Sequence, residues 1–158
     1  MQITFITVGS LKEKYLIDGI SEYKKRLTTY AKIDDVELKE TKIQNEDNQV
    51  EISNALSDEG DKILSRIPDG AYVVALCVEG KCIDSMELAR IVKSAQDSTG
   101  KICFIIGSSY GLSDKVKQRA DFKLSLSKLT YPHQLARVML YESVYRSMTI
   151  INGKRYHK

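Results

Sequence analysis

The chain of 158 residues has no tryptophan, two prolines, two histidines and three cysteines, and each scarcity excludes something. Three cysteines cannot all pair within one chain. None forms a Cys-x-x-Cys, and Cys77 and Cys103 lie inside strand-like apolar runs, so the expectation is small core thiols kept reduced rather than a disulfide framework, redox motif or metal motif. With His133 and His157 as the two histidines, a zinc site would need carboxylates or scattered cysteines at no recognisable spacing. No metal is expected. There is no Gly-x-Ser-x-Gly elbow of a hydrolase, no internal repeat and no Pro/Gly/Ser-rich linker, so residues 1–158 read as one domain. The longest apolar runs, such as Ala71 to Val78, are far too short to span a bilayer. The opening Gln2–Val8 alternates from the start and lacks the basic flank and cleavage site of a signal peptide. A cytoplasmic protein with no membrane partner is expected.

What is present suits a soluble globular fold. Hydrophobic residues make up 42% and charged residues 28% of the chain, and this length buries roughly two-thirds of the unfolded surface. The net charge of +3 hides an asymmetry. From Asp34 to Glu59 nine acidic residues face only Lys39 and Lys42, a local balance of −7, so the remainder carries +10. Much of that excess lies in Lys115, Lys117, Arg119, Lys123, Lys128 and Arg137, then in Arg146, Lys154, Arg155 and Lys158. Clustered cations suit an anionic partner, although solvated helix faces are also basic.

Periodicity predicts alternating strands and helices. Residues 2–8 read as a strand ending at Gly9-Ser10, residues 11–28 as a helix, 33–38 as a strand, and the polar, aperiodic 41–49 as a mobile loop. A helix over about 50–67 stops before the turn signal Pro68-Asp69-Gly70. Tyr72–Cys77 and Ile102–Ile106 are apolar throughout, as strands buried on both faces of a parallel sheet are. Between them Asp84 and Glu87 resemble a capping box, and Gly100 closes the helix they open. Ser113 can cap a short helix over 113–120, a last strand covers 122–126, and Pro132 suits the first position of a helix reaching Ile151. The fold class is therefore α/β, a mostly parallel sheet flanked by helices.

Ligands of open α/β sheets bind beyond the carboxyl ends of strands. Three loops qualify: the one after Cys77, the one from Gly107, and the one from Ser127 to Tyr131. The spacing of Gly107 and Gly111 fits neither Gly-x-Gly-x-x-Gly nor a phosphate-binding P-loop, which argues against nucleoside triphosphates and ordinary dinucleotides. A plain strand–turn–helix connection explains it equally well. His133 reads either as a helix-start histidine bonded to the preceding loop or as a functional group. His157 lies in the tail Lys154-Arg155-Tyr156-His157-Lys158, which is either a frayed basic terminus or a segment that folds over a site. The last helix carries apolar residues around more of its circumference than one sheet face needs. It is central to the core, packs on another subunit, or both.

Four stretches resemble the RlmH family of the SPOUT methyltransferases over essentially the whole chain. They are the opening Ile-Thr-Phe-Ile-Thr-Val-Gly-Ser-Leu-Lys-Glu-Lys-Tyr, the loop Ile106-Gly107-Ser108-Ser109-Tyr110-Gly111-Leu112, the run Leu124 to Arg137 with its Thr-Tyr-Pro-His-Gln, and Tyr141-Glu142-x-x-Tyr145-Arg146 with the terminal Tyr156-His157-Lys158. The resemblance implies a deep trefoil knot in the C-terminal half and a homodimer. It implies S-adenosylmethionine held by Leu76, Gly107 and the loop Leu126, Ser127, Lys128, Leu129, Thr130 and Tyr131. The implied activity is methylation of N3 of a pseudouridine in 23S rRNA on the assembled ribosome. Two departures stand out. Ser108 occupies a position where the family usually has glycine, which would cost about 1 kcal/mol if that residue needed positive φ. Lys158 replaces a common arginine and loses its bidentate geometry.

Within that resemblance the expected catalytic residues are His157 for proton handling, Tyr156 for positioning the base, and Arg137 for charge. Lys128, His133, Arg155 and Lys158 are the expected RNA contacts. Two alternatives remain open on the sequence: a catalytically idle ribosome- or RNA-binding module of the same fold, and a small flavodoxin-like nucleotide binder.

Overall fold

The computed structural model describes residues 1–156. In chain order the elements are β1 (Gln2–Val8), α1 (Lys14–Leu27), β2 (Lys32–Leu38), α2 (Gln49–Leu64), β3 (Tyr72–Cys82), α3 (Ser85–Ser98), β4 (Lys101–Ile106), α4 (Asp114–Arg119), β5 (Phe122–Ser125) and α5 (His133–Ile151). The strands form one all-parallel sheet in the order β2-β1-β4-β3-β5. Alternation along each strand divides the core. Ile3, Phe5, Val74, Ile102 and Phe104 face the layer of α1, α3 and α5. Ile6, Val73, Ala75, Cys103 and Ile105 face the layer of α2 and α4. Strands buried on both faces are apolar along their buried length, as β4 is from Ile102 to Ile106, because both pleats lie against helices.

The last helix lies in the centre of its layer, packed against both α1 and α3. Its Tyr141 is fully buried and stacks on Phe5, with ring centroids 3.9 Å apart. The phenol donates to Asp35, which also pairs with Lys24 at 2.5 Å, so the one polar atom of this ring is satisfied at the helix–sheet boundary. Truncating a fully buried aromatic leaves a large cavity. Tyr141→Ala is expected to lower unfolding free energy by about 3–5 kcal/mol, read as a shifted urea midpoint at unchanged slope. A loss below about 1 kcal/mol would place the ring outside the stabilising core.

The structure differs from the sequence reading at four places. First, β3 runs on to Cys82 instead of ending at Cys77. Leu76 and Lys81 both stand opposite Leu124 of β5, so the intervening residues form a bulge. A β-carbon on Gly80 would lie 2.6 Å from the Leu124 carbonyl carbon, and only glycine lets the bulge approach β5 so closely. The polar Glu79-Gly80-Lys81 hid this extension. Second, the Ser113 hydroxyl makes no cap to α4. It is packed against Gly60 of α2, where a β-carbon would sit 2.3 Å from it. Third, Pro132 precedes the first helical residue of α5 instead of occupying it, and its carbonyl accepts from the Ala136 N–H. Fourth, the 41–49 loop is tethered. Thr41 N–H donates to Glu59, and Gln44 and Asn45 N–H groups donate to Glu51. Asn48 then caps α2, a role the sequence reading missed. Asp84 caps α3 as expected, by accepting from the Glu87 N–H, while the Glu87 carboxylate pairs with Lys81 instead of closing a capping box.

Of the cysteines only Cys103 is a core residue, and burial pushes its thiol up to about 12; Cys77 is half-buried and Cys82 exposed. Among the described residues no helix is long and apolar enough to cross a membrane.

Candidate active site

The carboxyl ends of β3, β4 and β5 open onto a cleft of about 430 Å3, within the range of small-molecule sites. Chain order makes the cleft. After the edge strand β5 the backbone has to reach the middle of the sheet, where α5 lies over β1, and it crosses the ends of β3 and β4 on the way. Leu76–Glu79 form one wall, Ile106–Leu112 a second, and Ser125–Ser127 with Leu129–His133 the third, and Ala136 also lines the cleft. The walls are mainly aliphatic, through Leu76, Ile106, Leu112, Leu126 and Leu129.

Local chemistry shapes each wall. At Gly107 a β-carbon would lie 2.1 Å from the Gly111 carbonyl oxygen, so the loop folds back on itself only because that residue has no side chain. Gly111 takes φ +90° and donates its N–H to the Ser108 carbonyl at 2.9 Å, closing the turn. Ser108 itself does not have positive φ, so the strain anticipated for a serine there does not arise. Its hydroxyl instead donates to Glu59, 3.0 Å away. The third wall is folded by its own serines. Ser125 Oγ donates to the Ser127 carbonyl, and Ser127 Oγ accepts from the Leu129 N–H. The Lys128, Thr130 and Tyr131 N–H groups have no partner among the described residues, which leaves backbone donors for a ligand.

Glu59 anchors this arrangement from behind. It is 3% exposed, and burial pushes its carboxyl above the ordinary carboxylate range despite hydrogen bonds from the Thr41 N–H and the Ser108 hydroxyl. A raised folded-state pKa means that its ionisation disfavours the fold. The stability it contributes is full below the unfolded pKa and is lost as pH rises through the folded value. Glutamine can accept from Thr41 through Oε1 and donate to Ser108 Oγ through Nε2 without a charge. Glu59→Gln is therefore expected to melt at or above the wild-type temperature at pH 8, with the gap closing on acidification through the carboxylate range. A gap that widened toward pH 4 would contradict the assignment.

Seven of the eight residues expected to hold a cofactor line this cleft: Leu76, Gly107, Leu126, Ser127, Leu129, Thr130 and Tyr131. Lys128 is not in the lining; it is exposed on the same loop. His133 lines the cleft from the start of α5. Arg137 does not line it. Its buried guanidinium donates to the Gly9 carbonyl at 3.3 Å and to Glu37 at 3.1 Å, joining α5 to the ends of β1 and β2. Tyr156 also lies elsewhere. Its hydroxyl reaches Glu142 at 3.2 Å, its ring meets Tyr145 edge-on, and the Arg146 guanidinium lies 4.8 Å above it. Burial and the neighbouring Tyr23 and Glu142 push the phenol up to about 12. Glu142 stands about 13 Å along α5 from His133, so Tyr156 does not close the cleft of its own chain. Arg155 is exposed, and His157 and Lys158 lie outside the described residues.

Five of the ten clustered cations, Arg137 among them, are paired with carboxylates among the described residues. Lys115 meets Asp61, Lys117 meets Glu79, Arg119 meets Asp121 and Arg146 meets Glu142. Exposed Lys123 and Lys128 have no such carboxylate among the described residues. No group of three or more His, Cys, Asp or Glu able to hold a metal occurs among the described residues.

Comparison with known proteins agrees with this geometry. The family model described as a predicted SPOUT methyltransferase matches residues 1–157, and the chain belongs to that family. Full-length relatives narrow the similarity. The chain is 50% identical over 159 residues to the ribosomal RNA large subunit methyltransferase H of Bacillus pumilus, covering 100% of both chains. It is 45% identical to the protein of the same name from Caldicellulosiruptor bescii, covering 99% of both. Among solved structures, a probable methyltransferase from Bordetella pertussis superposes with a TM-score of 0.57 over 92% of this chain and 93% of that one; at 13% identity it shows the fold alone.

Proposed function

We infer that this chain uses S-adenosylmethionine to methylate N3 of a pseudouridine in 23S rRNA on the assembled ribosome. One observation carries the reading: Leu76, Gly107 and the Leu126–Tyr131 loop, far apart in sequence, converge on one cleft with aliphatic walls and free backbone donors. Aliphatic faces suit an adenine ring, and backbone groups suit its polar edge and the ribose. The names of the full-length relatives support rRNA of the large subunit as the substrate.

When bound, the cofactor supplies a methyl group already activated on a sulfonium, so the chemistry asks for no metal. The protein has to orient the donor, exclude water and handle the imide proton of the target. Gly107 and the Ser125–Tyr131 turn orient the donor. Arg137, spent on Gly9 and Glu37, acts as a positioning residue that fixes α5 and hence His133. His157 handles the proton with Tyr156 positioning it. Because Tyr156 packs on α5 away from its own cleft, the tail serves the cleft of the partner in a homodimer. Exposed Lys128 and Arg155, with Lys158, contact RNA phosphates. The reading includes a single cytoplasmic domain and a C-terminal trefoil knot, supported by the crossing of residues 125–132 over the ends of β3 and β4.

Equilibrium dialysis with labelled S-adenosylmethionine, followed by transfer to ribosomes, tests it. Saturable binding with label in 23S rRNA is expected. Ribosome association without donor binding would mark an idle RNA-binding module instead.

A further inference from the structure

A second cleft, of about 450 Å3, opens at the carboxyl ends of β1 and β2. Gly9, Ser10, Lys12, Lys39, Glu40 and Gln134 line it, together with His133. His133 is the residue it shares with the donor cleft. The partition between the two is thin and polar. A β-carbon on Gly9 would stand 3.8 Å from His133 Nε2 and 3.5 Å from Glu40 Oε2. Across the same boundary, Ser109 of the donor-cleft wall donates to Glu40 at 3.3 Å.

We propose that this second cleft seats the acceptor nucleotide, an imide-bearing pyrimidine lifted out of its RNA, with His133 at the border that it shares with the methyl donor's cleft and beside, not between, the reacting atoms. The proposal rests on the methyltransferase reading and names the site of its second substrate. Three observations lead to it. Methyl transfer needs donor and acceptor atoms within roughly 3–3.5 Å, so an acceptor site has to adjoin the donor cleft, and this one shares a wall with it. An imide edge presents acceptor, donor, acceptor in a row. Lys12, Lys39, Gln134 and His133 offer donors to the two carbonyls, Glu40 is an acceptor near the imide proton that must leave, and the lining also holds Glu37, already paired with Arg137. Lys12 and Lys39 are exposed at the rim and pair with no carboxylate among the described residues, which leaves them for flanking phosphates. A base taken out of its stack is read by such a polar pocket.

The test uses variants that leave the donor cleft intact. Ser10 is exposed and lines only the second cleft, so Ser10→Trp fills it. Lys39→Glu reverses a rim charge. For each, donor affinity is measured by equilibrium dialysis, oligomeric state by sedimentation, and kcat/KM with ribosomes by label transfer. Donor affinity within about twofold of wild type is expected, with kcat/KM reduced on the order of a hundredfold by Ser10→Trp and tenfold by Lys39→Glu. Wild-type kcat/KM in a folded Ser10→Trp would overturn the proposal. So would Ser10→Trp dissociating the dimer, which would assign the cleft to the subunit interface. Should Ser10→Trp fail to fold, Lys12→Glu combined with Lys39→Glu decides by the same measurements. Failure of the methyltransferase reading is distinct: wild-type protein would then transfer no label at all.

Discussion

Gly107→Ala is expected to lower affinity for S-adenosylmethionine on the order of a hundredfold and to lower the melting temperature as well. The added methyl would stand 2.1 Å from the Gly111 carbonyl oxygen and 2.5 Å from its carbon, with Leu112 Cδ2 at 3.0 Å. Backbone cannot swing aside as a long side chain can, so the loop must open. Overpacking of this kind costs about 1–3 kcal/mol of stability. Opening also moves the wall that faces Leu76 and the Ser127–Tyr131 turn. The neighbouring position makes the control. Ser108 has ordinary φ and directs its hydroxyl to Glu59, so Ser108→Gly should keep donor affinity within about twofold. Equilibrium dialysis of both variants reads the contrast. Equal affinities for Gly107→Ala and wild type would remove the Gly107 loop from the donor site.

The second large effect concerns turnover. His157→Ala is expected to reduce kcat by about 10²–10⁴ while leaving donor affinity nearly unchanged, the pattern of a lost proton-handling group. Equal loss of both would refute that role. Because Tyr156 lies over Tyr145 and Arg146, well along α5 from the cleft, the proposed homodimer requires the tail to act on the partner subunit's site. Mixing His157→Ala chains with Gly107→Ala chains tests this. Mixed dimers hold one intact cleft and, on the other chain, one intact tail, so activity absent from both parents should return. No recovery in mixed dimers would place the tail at its own chain's cleft.

The alternation of strand and helix is legible in the sequence because β3 and β4 are short apolar runs set between helical periodicity and turn signals. Asp84 and Gly100 bracket α3 by local chemistry that acts over only a few residues, and such signals survive without knowledge of the fold. The bulge of β3 was not legible. It depends on Gly80 meeting the backbone of Lys123 and Leu124, a contact across strands with no local trace. The cleft proposed for the donor was expected only through the family resemblance, since its three walls are separated in sequence and carry no nucleotide-binding spacing of their own.

Arg137 shows the opposite error. A basic residue in a basic cluster reads as a free cation, yet its partner Glu37 lies 100 residues away in the acidic stretch. The second cleft escaped the sequence reading for the same reason. Gly9 and Ser10 looked like the end of a strand, Lys39 and Glu40 like the start of a polar loop, and Gln134 like part of a helix. Only the parallel pairing of β1 with β2 and the placement of α5 above them bring these residues to one place.

Comparing the masses of 23S rRNA fragments from cells with and without this protein tests the central claim most directly. One pseudouridine-containing fragment should be heavier by a single methyl group when the protein is present, with the methyl located on N3. Identical fragment masses in the two RNAs would contradict the account.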